Sequence, residues 1–119
     1  MTAAKARTVD LLTGAFDLNQ RRKFSVTNAE GEVVVDLYFR PITRADRKVA
    51  NSKAGTDDAI EISTQMLVQK AELEDGTKAF AMADVAKLQR ELPEGVLNDL
   101  ELFLFGISNE AGLDEAKND

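Results

Sequence analysis

The stretch Arg22–Ile42 reads "RKFSVTNAEGEVVVDLYFRPI". Phe24 and Val26, then Val33, Val35, Leu37 and Phe39, recur at every second residue, the period at which strand side chains return to one face of a sheet. Between the two runs lies the polar connector "NAEGE". It holds Asn28 and Gly31, residue types suited to the positive backbone angles of a tight turn. The stretch is therefore read as a β-hairpin with one apolar face. The unbroken run Val33 to Val35 would suit a strand covered on both sides, but Asp36 and Tyr38 on the alternate face leave that face partly exposed. Pro41 has no N–H to give a ladder and ends the second strand.

Downstream of Pro41 the pattern turns helical. Thr43 is an N-cap candidate for a helix with Asp46 in its first turn, running to about Ala54 and stopped by Gly55. Ala45, Val49 and Ala50 are its candidate inward residues. Its Arg44, Arg47, Lys48 and Lys53 form the densest basic patch of the chain, read either as a solvated face or as a dock for an acidic partner. A second helix, "TDDAIEISTQMLVQKAEL", starts from Thr56 as cap and carries Ala59, Ile62, Met66 and Leu73 near one stripe, widened by Ile60 and Leu67. The segment "EDGTKAF" is a turn, and a third helix follows over about Met82–Leu92 with Val85, Leu88 and Leu92 inward. Pro93 closes that helix and opens the last one.

The last helix ends in "LNDLELFLFG", Leu97–Gly106. Val96, Leu97, Leu100, Phe103 and Leu104 form an inward stripe, whereas Leu102 and Phe105 point elsewhere on the same cylinder. Each large apolar side chain left in water costs on the order of 1.5–3 kcal/mol relative to burial, enough to favour association. Two readings stay open for this end of the helix, core and interface. The expectation is thus a small single α+β domain over 22–106, a hairpin followed by about four helices. A partly ordered arm covers 1–21, in which "VDLLTGAFDL" forms a short helix or an extra strand, and an acidic, disordered tail covers 107–119.

Composition narrows the function. The chain of 119 residues carries 21 acidic against 15 basic side chains, a balance that argues against a phosphate-binding surface and hence against nucleic acid. It has no Cys and no His, so thiol chemistry, disulfides and the commonest general base and metal ligand are missing together. The acidic pairs Asp57 with Asp58 and Glu74 with Asp75 sit at a helix start and in a turn, where carboxylates serve the backbone. The glycines form no phosphate loop. No active site and no cofactor are expected. The apolar runs are too short for a membrane span and the opening residues lack a secretory core, so the protein is expected to act in the reducing cytoplasm where it is made.

The order of these pieces resembles a known family, the tail assembly chaperones of phages with long non-contractile tails. The resemblance rests on the hairpin closing on "LYFRPITRAD", the amphipathic helix, the "EDGTKAF" turn, "DVAKLQRELP" and the "VLNDLELFLFG" ending, and it spans roughly Phe24 to Gly106. It implies a non-enzymatic role: binding the tape measure protein, keeping it soluble, and helping tail tube subunits polymerise around it in the host cytoplasm, with no place in the mature virion. It also implies a frameshift-extended form of the chain, for which codons at Ala116 to Asn118 are a candidate slippery site. The candidate surface for the client, or for stacking of copies into a spiral, is Leu102, Phe103 and Phe105, with Arg44, Arg47 and Lys48 as the basic alternative. Two other classes fit the residues: a small structural tail subunit, tube or connector, using the hairpin for strand addition, and an acidic host-directed inhibitor.

Overall fold

A computed structural model of the chain describes residues 7–106. The alternating stretch is an antiparallel hairpin of β1 (Arg22–Thr27) and β2 (Val33–Phe39), with Phe24 opposite Leu37 and Val26 opposite Val35. Its inward positions become more buried toward Phe39, while Val33 and Val34 at the tip are exposed. Only one of the two expected turn residues takes a positive angle, Gly31 at φ 84°. Asn28 works through its side chain: Oδ1 accepts from the N–H of Glu30 at 2.9 Å and of Glu32 at 3.0 Å, fixing the turn with ordinary backbone angles.

Among the described residues five helices accompany the hairpin. Four follow the hairpin as expected, α2 (Arg44–Ala54), α3 (Ala59–Lys70), α4 (Asp84–Glu91) and α5 (Glu94–Phe105), and α1 (Thr8–Gly14) precedes it. The start of α2 is a full capping box, in which Thr43 Oγ1 accepts from the Asp46 N–H and Asp46 Oδ2 accepts from the Thr43 N–H. Gly55 ends the helix at φ 67°. Of its three candidate inward residues only Ala50 is buried; Ala45 and Val49 are exposed. Besides the packing of Ala50, two polar contacts from α3 hold this helix: Gln69 donates to the Asp46 carbonyl at 3.0 Å, and Lys70 pairs with the Asp46 carboxylate at 3.1 Å.

The cap of α3 is Asp58, two residues later than expected, because its carboxylate accepts from the N–H groups of Ile60 and Glu61; Thr56 instead receives the Asp58 N–H. Thr64 to Val68 are buried in unbroken succession, more than a single stripe, because α2, α4 and α5 all pack around α3. Ile60 faces solvent at the helix start. Leu73, assigned to the stripe, lies beyond the helix end and is exposed. After Lys70 the chain extends, and Glu72 pairs with Tyr38 on the free edge of β2 and with Lys78 across the Gly76 turn. This short third rung was not legible as a strand. Helix α4 begins at Asp84, with Val85, Leu88 and Leu92 half-buried, and Pro93 stands immediately before α5.

The core gathers Leu37 and Phe39 from the sheet, Ala50, Met66, Leu67 and Ala71 from the middle, and Leu97, Leu100 and Leu104 from α5. Phe103 closes its hairpin side, meeting Phe24 and Phe39 edge-on at 5.0 and 5.8 Å between ring centroids. Arg22 lies over the Phe103 ring at 4.3 Å and donates to the Phe103 carbonyl at 2.6 Å, a cation at the negative end of α5.

At the β2 edge of the sheet Glu72 is a buried acid. Arg21 and Arg40 both pair with it, at 3.3 and 3.0 Å, and Arg21 also donates to the carbonyls of Leu73 and Glu74. Arg40 reaches Asn19 as well, so the segment after α1 is tied to this edge. Replacing Glu72 with Ala strands two guanidinium groups beside a buried site and should cost roughly 3 kcal/mol, at the low end for a broken buried pair because both arginines keep some water. Urea unfolding should show a lower midpoint at unchanged slope.

Candidate functional site

The N-terminal turn of α2 and the outer face of α5 stand on either side of α3 and leave an open groove of about 620 Å³. Ile42, Thr43, Arg44 and Arg47 form one wall, Ser63 of α3 the floor, and Asn98, Glu101, Leu102 and Phe105 the other wall. Four of the sequence-derived candidates, Arg44, Arg47, Leu102 and Phe105, thus meet in one place although they come from segments more than fifty residues apart. The Arg47 guanidinium lies 5.3 Å from the Phe105 ring centroid, which joins the basic patch to the apolar one directly. Leu102 and Phe105 are half-buried, so the groove leaves part of each side chain open to a partner.

The other two candidates lie apart. Phe103 is turned into the seam with the hairpin, and Lys48 borders a separate shallow depression with Asn51 and Asp57. Helical geometry explains both: Phe103 sits one residue, about 100°, from each of its neighbours Leu102 and Leu104, and Lys48 sits one residue on from Arg47.

Glu101 sets the polarity of the α5 wall. Burial lifts its carboxyl above the ordinary value, and the Thr64 hydroxyl, donating at 3.3 Å, offsets only part of that. No cation among the described residues pairs with it. Asp46, behind the α2 wall, goes the other way. Burial raises its pKa, but the Thr43 N–H, the hydrogen bond and charge of Lys70, and the Thr43 hydroxyl together outweigh that and hold it below the usual range.

The acidic side chains at the α3 start and in the Gly76 turn serve the backbone. Asp58 is spent on its cap, and Asp75 is held low by hydrogen bonds from the Thr77 N–H and hydroxyl within its turn. Among the described residues there is no group of three potential metal ligands and no helix long and apolar enough to cross a membrane.

The fold is similar to that of a solved structure. The chain matches the structure of the bacteriophage HK97 tail assembly chaperone with a TM-score of 0.51 and 14% identity, over 84% of this chain and 99% of that one. The two share a fold. No protein-family model and no curated protein matches the chain. At this identity the likeness to the HK97 chaperone lies in the architecture, and it agrees with the family resemblance read from Phe24 to Gly106.

Sequence reading placed less weight on another apolar surface. Helix α1 buries no residue, and Leu11, Leu12, Phe16 and Leu18 along this arm are all more than half exposed. The signal was present in "VDLLTGAFDL", but at seven residues the helix carries no cap and no long periodic stripe to mark an outward face.

Glu101 provides a test of the groove's electrostatics. The folded chain holds its proton more tightly than the unfolded chain, so stability falls as pH rises from the unfolded pKa through the folded one. Glu101→Gln keeps an oxygen for Thr64 to donate to and removes the half-buried charge. It should raise the thermal midpoint at pH 7, followed by circular dichroism, and the gain should vanish below about pH 4, where the carboxyl is protonated in both states.

Proposed function

We propose that this protein is a phage tail assembly chaperone that binds the tape measure protein, keeps it soluble and promotes polymerisation of tail tube protein around it. The observation that carries the reading is the groove: two arginines and two half-buried apolar side chains converge on the surface of a domain that shares its fold with the HK97 tail assembly chaperone. A long helical client offers apolar residues along one stripe and charges beside it, and a mixed groove of this kind accepts such a face. The net charge of -6 keeps loaded complexes apart in solution. The role needs no catalysis, cofactor, nucleic acid or membrane. It belongs to assembly in the host cytoplasm, with the chaperone released before the virion is complete. Copies of the chain, and a frameshift-extended form of it, are further proposed partners, with the exposed α1 arm as an added apolar contact.

A structural tail subunit is the second reading, favoured by one observation. Among the described residues the outer edge of β1 carries no partner strand, and Val33 and Val34 stand exposed at the hairpin tip, a combination open to strand addition.

Co-expression with the long helical protein encoded nearest downstream separates the two. The chaperone reading expects that client to be soluble and to co-purify only in the presence of this chain. Rescue should fall at least tenfold in Leu102→Glu and in Arg44→Glu, both checked for an unchanged far-ultraviolet spectrum; Arg44 is exposed and its loss leaves the core intact. Absence of any complex, with the protein instead recovered in purified particles, would establish the structural subunit.

A further inference from the structure

We propose that the groove between α2 and α5 has an occupant within the chain itself, the acidic segment 107–119. The argument begins with charge. Among the described residues the ion pairs use Arg21, Arg40 and Lys70, and neither Arg44 nor Arg47 meets a carboxylate. These two arginines stand three residues apart on one helix face, and both line the same groove. Opposite them, Leu102 and Phe105 offer apolar surface that is only partly covered.

The segment that leaves this groove matches both features. "ISNEAGLDEAKND" holds Glu110, Asp114, Glu115 and Asp119 against a single Lys117, with Ile107 and Leu113 as its large apolar residues. Phe105, a wall residue of the groove, is separated from Ile107 only by Gly106, which turns the chain off the helix axis at φ 73°. A short tether of this kind keeps the segment at an effective concentration of about millimolar, so contacts too weak to hold a free peptide suffice.

Polarity then fixes the orientation. The Glu101 carboxylate on the α5 wall repels acids, so the tail's carboxylates must lie toward Arg44 and Arg47, and Ile107 and Leu113 toward Leu102 and Phe105. Docked in this way the tail covers the apolar pair while no client is present, and a longer apolar face displaces it. The inference goes beyond the chaperone role, and its test needs no client.

The chain has no cysteine, so Ala116→Cys accepts a single spin label in the full-length protein. At low salt the amide signals of Arg47 and Leu102 should lose most of their intensity, while those of Lys87 and Leu88 on α4 keep it. The loss should disappear on raising the salt, and in the variant carrying Glu110→Gln, Asp114→Asn, Glu115→Gln and Asp119→Asn. Arg44→Glu combined with Arg47→Glu should abolish it with the fold unchanged. Equal intensities in groove and α4, or a loss that survives neutralisation of the tail, would overturn the proposal. So would a loss that appears only when labelled and unlabelled chains are mixed, since that would make the occupant a second copy.

Discussion

A two-stranded sheet has one apolar face and too little material to cover it, and an isolated hairpin is marginal at best in water. Here the cover arrives from the far end of the chain. Phe103 wedges between Phe24 and Phe39, and Arg22 holds both its ring and its carbonyl in the last turn of α5. This contact closes the domain across some eighty residues, and it sets the rotation of α5 about its axis. Once Phe103 faces the sheet, Leu100 and Leu104 fall in the core, and Leu102 and Phe105 are left to line the groove. The groove is thus a consequence of how the hairpin is covered.

The opposite edge of the sheet is managed with polar groups. Glu72 completes a rung beside Tyr38 and draws Arg21 and Arg40 onto itself, which covers part of the β2 edge and ties down the segment after α1. Helix α2, almost without an apolar face, is likewise held by Gln69 and Lys70 through Asp46. Its basic side chains are thereby free of core duties and available at the surface. Aromatic and aliphatic contacts together with Arg22 bind α5 to the hairpin, and charged hydrogen bonds through Asp46 tie the α2 wall of the groove to α3.

For a protein proposed to hold an aggregation-prone client, a half-covered apolar pair beside two arginines suits the role better than a fully exposed patch. Fully exposed leucines and phenylalanines favour association, and among the described residues they gather on the α1 arm, away from the groove. Arg47 over Phe105 screens the ring without burying it, and the long stem of an arginine can swing away as a partner approaches.

Much of the local structure was legible in the residues alone. Alternation at Phe24, Val26, Val35, Leu37 and Phe39 specified the hairpin, Thr43 with Asp46 specified the start of α2, and glycines and prolines marked the breaks, because these signals act within a few residues. The absence of Cys and His was equally plain. Tertiary structure decided the rest. The burial of Thr64 and Gln65, the rung at Glu72, and the exposure of Val49, Ile60 and Leu73 depend on which elements surround a helix, and a single helix's periodicity does not carry that information. The groove is the clearest case. Arg44, Arg47, Leu102 and Phe105 were each legible as candidates, yet only the packing of α2 and α5 against α3 made them one surface, and the same packing turned Phe103 away from it.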